Sequence, residues 1–327
     1  MTKLDAVVAQ PSAVTSLQRA SDSGRIASSY LFEGPSGVGK ELAATSWATD
    51  VVAAGDARVV DRIEAGAHPD VRVFRPRDEG KRNIQVDVLR TEILPLAQFA
   101  PFEATKTFFI FPEADVSFPE FQAEAANALL KTLEEPRPNV HFVLTAERPE
   151  ALLPTIRSRC QRLRFGPLPD EVLRQILEAH EVAPEAIAAA VALSSGRADI
   201  ALALAQEGSV DELTELAFSV DLAIARSGPG TLVDVAESLG RRDDVELALL
   251  ALQRLYGDFA LVGLGVDRAR LAYPDRADEV RSRAAVVGPT AAASRVSMIH
   301  QCVDAMRQNA NRQVALDALV FGLRNAR

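Results

Sequence analysis

The sequence predicts an α/β domain with a parallel sheet, followed by an all-helical region. Short β-type runs alternate with helical stretches through the first half, and a glycine-rich loop joins one such run to a helix. From Asp170 onward the chain is rich in Ala, Leu, Glu and Arg at helical spacing and shows no strand pattern.

The expected strands among these short β-type runs are Tyr30–Glu33, Val71–Arg75, Thr107–Phe111, His141–Thr145 and Gln161–Phe165. The segment FGPLPDE, Phe165–Glu171, carries two prolines and then an acidic first turn, so it reads as a strand exit into a helix start. Helical breaks are expected near Ser194–Gly196, Gly208, Ser227–Gly230 and Gly288–Pro289. The resulting division is a sheet domain over 1–165, a small helical domain over 166–208 and a helical bundle over 209–327.

Hydrophobic residues make up 48% and charged residues 25% of 327 residues, a balance that buries cores and argues against a disordered chain. The segment MTKLDAVVAQPSAV lacks the basic and apolar regions of a signal peptide, and no apolar run is long enough to span a bilayer. A cytoplasmic protein without membrane contact is expected. Two distant cysteines, Cys160 and Cys302, build neither a disulfide framework nor a metal cluster. A net charge of −9 opposes tight binding of a polyanion by this chain alone. The mixed-charge run RPRDEGKR, Arg75–Arg82, reads as a solvated loop, with a phosphate or partner contact as the alternative.

The strand at Tyr30–Glu33 runs into GPSGVGKEL, which meets the G-x-x-x-x-G-K part of the Walker A pattern in its strand–loop–helix setting. Gly34, Ser36, Gly37, Val38, Gly39, Lys40 and Glu41 are the candidate nucleotide-binding residues. Backbone N–H groups at the helix start would face a phosphate, and the Lys40 ammonium would reach the β- and γ-phosphates. Position 41, where a Ser or Thr hydroxyl would hold magnesium, carries Glu41. After the apolar strand KTFFIF, Pro112 stands where a Walker B Asp is expected and Glu113 follows it. Both ordinary protein groups for magnesium are therefore missing, and the loop is expected to accept ATP or ADP without hydrolysing it. A plain glycine turn, and a working ATPase in which Glu41 and Glu113 rescue the metal, are the alternatives.

These residues, together with EAANALLKTLEEPRPNVHFVLTAERPEALLPTIRSRCQRLRF at Glu124–Phe165, resemble the clamp-loader branch of the AAA+ family. The opening VVAQPSAVTSLQRASDSGRIASSYLFEGPSGVGK is similar too, HPDV at His68–Val71 and IQVDVLR at Ile84–Arg90 are similar to delta-prime members, and QNANRQVALDALVFGLR at Gln308–Arg324 resembles the last collar helices. The resemblance implies a RecA-like AAA+ domain, a helical lid and a collar through which five subunits assemble. Tau/gamma motor subunits and a delta subunit are the implied partners in a hetero-pentamer, with the sliding clamp and primer–template DNA reached through the complex. It also implies that Ser158, Arg159 and Cys160 form the motif that crosses a subunit boundary, with Arg159 an arginine finger in trans.

An ordinary surface arginine is the other reading of Arg159, and Cys160 reads as a small buried packing residue. The resemblance places Thr145 at the sensor-1 position and Arg197 near the sensor-2 region; a strand-end threonine and a helix-start arginine are the plain alternatives. The family's four-cysteine zinc module has no counterpart, because Ala54, Ala57 and Val60 stand where cysteines are expected and His68 alone cannot replace them. No metal is expected. The rival functional classes are a catalytically active AAA+ ATPase and a DNA-binding adaptor on an AAA+ scaffold.

Overall fold

A computed structural model describes residues 2–76, 84–119, 123–205, 209–226, 228–266, 271–307 and 310–326. The chain forms two compact units, Met1–Val172 and Leu173–Arg327.

The first unit carries strands β1 (Ser29–Glu33), β2 (Val71–Val73), β3 (Thr107–Phe111), β4 (Val140–Ala146) and β5 (Gln161–Arg164). They form one parallel sheet in the order β2-β3-β4-β1-β5. Helices α1 (Pro11–Asp22), α2 (Lys40–Ala53), α3 (Ala57–Glu64), α4 (Ala123–Glu134) and α5 (Pro154–Arg159) accompany the sheet. The strand order places the loop-bearing strand β1 between β4 and β5.

β1, β3 and β4 are buried at every position, as a parallel sheet covered on both faces demands. Alternation divides their side chains between two cores. Tyr30 stacks edge-on with Trp47 of α2 at 4.9 Å, and Trp47 with Phe108 at 5.3 Å. Leu31, Phe109, Phe111, Phe142 and Leu144 join Leu129 and Leu133 of α4 and Ile156 of α5 in the other core.

Two strands end earlier than their sequence suggests. β2 stops at Val73, although the Phe74 N–H still reaches the Ile110 carbonyl at 2.9 Å, because Arg75 turns away to pair with Glu41. β5 stops at Arg164, and Phe165 keeps one ladder bond from its N–H to the Glu33 carbonyl at 2.8 Å.

The segment His68–Asp70 organises the approach to β3. The fully buried Asp70 carboxylate accepts from the N–H groups of Phe102, Glu103 and Ala104 at 2.7, 2.8 and 2.9 Å, and from the Thr107 hydroxyl at 2.8 Å. Burial works against its charge, but these four donors outweigh it and hold the pKa below the ordinary value. Buried His68 takes the Asp70 N–H on Nδ1 at 3.1 Å.

In the second unit every described regular element is helical. The breaks at Ser195–Gly196 and at Gly288 fall where expected, each with positive φ. Gly208, Ser227 and the start of the Gln308–Arg324 motif lie outside the described residues, as do positions 77–82 of the Arg75–Arg82 run. Three long helices, Val245–Gly263, Ala277–Val287 and Pro289–Arg307, pack on one another. Buried Asp221 pairs with Arg283 at 2.7 Å and Arg295 at 3.4 Å, so its charge does not lie uncompensated in the interior. Among the described residues no helix is long and apolar enough to cross a membrane.

Replacing Asp70 by Ala leaves three backbone donors without their acceptor. Chemical denaturation is expected to show a loss of about 3 kcal/mol, whereas a loss under about 0.5 kcal/mol would show that the 102–104 turn is held by other means. Because the Asp70 pKa is lowered by folding, this contribution is present above the unfolded carboxyl pKa and fades as pH falls through the folded one.

Candidate functional site

The glycine-rich loop follows β1 and ends at the start of α2. Gly34 has φ +150, and a Cβ there would lie 2.1 Å from the Phe165 carbonyl oxygen. That glycine is required by close backbone packing, quite apart from any ligand. Gly39, with φ +91, is the residue before α2, and a Cβ there would meet open space. Conformation alone accounts for that one.

The loop is tied to the chain leaving β5. Buried Gln10 donates to the carbonyls of Gly166 at 2.8 Å and Val38 at 3.3 Å, and accepts from the Gly166 N–H at 3.0 Å. Glu33, the last residue of β1, is also buried and pairs across the sheet with Arg162 at 2.6 Å and Arg164 at 3.1 Å. A carboxylate closing a buried apolar run was the one sequence signal for this anchor, which pattern reading passed over.

Lys40 is 8% exposed. Its ammonium donates to the Gly34 carbonyl at 2.7 Å and to the Pro35 carbonyl. The cation is thus folded onto the loop's own acceptors. Glu41 pairs with Arg75, which comes from the segment after β2. A groove of about 860 Å³ beside the edge strand includes Leu42, Thr45, Phe74 and Arg75 among its walls and lies outside the loop 34–40.

On the neighbouring strands, Thr145 and the Pro112–Glu113 turn do come together. The Glu113 N–H donates to the buried Thr145 hydroxyl at 3.3 Å, and Glu113 itself adopts left-handed backbone with φ 48. Asp115, two residues on, accepts from the N–H groups of Glu147 and Arg148 at 3.3 and 3.1 Å. Burial pushes its pKa up, against the pull of those donors and of Arg148. Asp115 therefore locks the turn after β3 to the exit of β4. The sequence pattern singles out Pro112 and Glu113 but not Asp115, whose partners lie more than 30 residues on.

Magnesium, the ion that this class of loop recruits, does not fit the residues present. The carboxylate at position 41 is engaged by Arg75, and Pro112 has no side-chain ligand atom.

Arg159 ends α5, apart from this group. Its guanidinium donates to the Thr155 carbonyl at 2.9 Å and pairs with Glu134, the last residue of α4, at 2.5 Å. The Ser158 hydroxyl shares the Thr155 carbonyl at 3.0 Å. Cys160 is buried, and burial pushes its thiol up to about 12, so it stays protonated and packs as an apolar group. Arg197 belongs to the second unit, where it precedes the helix Ala198–Leu204 and pairs with Asp199 at 3.2 Å.

Residues 9–169, the loop, turn and Arg159 segment together, match the family model described as "DNA polymerase III, delta subunit". The chain is 34% identical over 182 residues to DNA polymerase III subunit delta' of Bacillus subtilis, a match covering 54% of this chain and 53% of that one. These matches support a clamp-loader protein of the delta-prime type. It spans about half the length of the curated delta-prime relatives it matches. It is also 34% identical over 248 residues to DNA polymerase III subunit tau of Escherichia coli, covering 73% of this chain and 36% of tau. A solved gamma-subunit-related protein from Thermotoga maritima covers 95% of the chain and is itself covered to 99%, with a TM-score of 0.43 at 19% identity.

Gly34 and Gly24 separate packing from conformation. Gly34→Ala is expected to cost about 3 kcal/mol in a denaturant melt through overpacking on Phe165. Gly24→Ala, at φ +66 with open space around it, is expected to cost about 1 kcal/mol. Equal losses at the two sites would remove the packing role from Gly34.

Proposed function

We propose that this chain is a largely non-hydrolysing stator of the DNA polymerase III clamp loader. In this reading it assembles with tau/gamma motor subunits and a delta subunit in a hetero-pentamer, and supplies Arg159 in trans during ATP-dependent loading of the sliding clamp onto primer–template DNA. The helices over 209–327 act as the collar, and 166–208 as the lid. The observation that carries the reading is the pair of substituted metal positions: Glu41 is tied to Arg75, and Pro112 offers no ligand.

A nucleotide entering the loop would have to draw Lys40 from the Gly34 and Pro35 carbonyls and would lack the ion that offsets γ-phosphate charge. ATP or ADP held there without turnover is the proposed limit of this site. No zinc is required, since Ala54, Ala57, Val60 and His68 do not make a ligand set. Arg159 suits the opposite task. A planar guanidinium at an exposed helix end can enter a neighbour's site and stabilise charge on the transferring phosphoryl group. The net charge of −9 fits a subunit that leaves most DNA phosphate contacts to its partners.

The similarity to tau over 73% of the chain and the contact between Glu113 and Thr145 favour a second reading, an active AAA+ ATPase of the motor type. The two readings separate on Arg159→Ala in a complex reconstituted with motor subunits, delta, clamp and primed DNA. The stator reading predicts that stimulated ATP turnover falls by at least about tenfold while gel filtration shows an intact complex. Unchanged turnover would remove Arg159 from the role assigned to it.

A further inference from the structure

Glu134 is the last residue of α4, where the negative end of the helix dipole disfavours a carboxylate. Local helix energetics therefore do not account for it. What it does touch is Arg159, at 2.5 Å, while the Thr155 carbonyl takes the same guanidinium at 2.9 Å. The two anchors stand on rigid elements: Leu129 and Leu133 of α4 and Ile156 of α5 share one buried core.

We propose that Glu134 is the positioning residue for Arg159, holding the guanidinium in a two-point cradle from which it meets an anionic phosphoryl group of a neighbouring subunit. The proposal rests on the reading of Arg159 as a trans-acting group. A long arginine side chain left free loses rotamer entropy when it docks, and that loss opposes every contact it makes. In the cradle much of that ordering precedes docking. A guanidinium has five N–H donors, so two anchors leave others for a phosphoryl oxygen. With Arg159 33% and Glu134 47% exposed, both side chains reach solvent where a partner can approach.

An exposed pair of this kind adds little to fold stability, so its loss should leave folding and assembly intact and act on geometry. The test compares the reconstituted complex carrying wild type, Glu134→Gln, Glu134→Asp, Arg159→Ala and the Glu134→Gln/Arg159→Ala double variant. Glu134→Gln is expected to lower the stimulated kcat by about three- to tenfold with the KM for ATP and the assembly affinity unchanged. Glu134→Asp, which keeps the charge, should recover part of that loss. In the Arg159→Ala background Glu134→Gln should have no further effect, a non-additivity that a general structural role would not produce.

If Arg159→Ala lowers turnover but Glu134→Gln leaves it within twofold of wild type, raises it, or lowers the double variant further, the positioning role is wrong and the finger assignment survives. If Arg159→Ala itself changes nothing, the finger assignment fails, and the role of Glu134 with it.

Discussion

The contact of Gly34 against the Phe165 backbone fixes how the first unit is put together. β1 and β5 pair in parallel, Glu33 is held by Arg162 and Arg164, and Gln10 bridges Val38 to Gly166. The phosphate-type loop is thereby joined to the chain leaving β5, whose entry is the Ser158–Cys160 motif. A loop built into the packing in this way contributes to stability whether or not it handles nucleotide. On the proposed reading, this is a physical role for Gly34, Gly39 and Lys40 beside magnesium positions that hold Glu41 and Pro112.

The same economy appears in the turn after β3. A Walker B turn ordinarily presents carboxylates to a metal. Here the buried carboxylate is that of Asp115, spent on the N–H groups of Glu147 and Arg148. The segment it holds continues through Pro149–Ala151 into α5, whose last residue is Arg159. On the proposed reading, the remains of a catalytic centre serve as the mounting for a residue that acts elsewhere.

Much of this was legible in the sequence because its strongest signals are local. β1, β3 and β4 read as apolar runs since both faces of a parallel sheet are buried there, and the loop pattern declared itself through glycine spacing. β2 was read too long because Arg75 extends a β-compatible run, and only the fold shows Glu41 waiting for it. Gln10, Glu33, Asp70 and Asp115 escaped for a common reason: each is a polar residue whose partners lie far off in the chain, Gly166 being 156 positions on from Gln10. Spacing within a motif cannot reveal a partner brought in by topology. Arg159 was found through its motif, but Glu134 acquires meaning only once α4 and α5 are packed side by side.

The account stands most directly on steady-state ATP turnover by the purified chain alone, with magnesium, measured beside Lys40→Ala. It predicts turnover at the background level for both proteins, since Glu41 and Pro112 leave no set of groups to hold the metal. Magnesium-dependent turnover abolished by Lys40→Ala would contradict it and make this chain a motor in its own right.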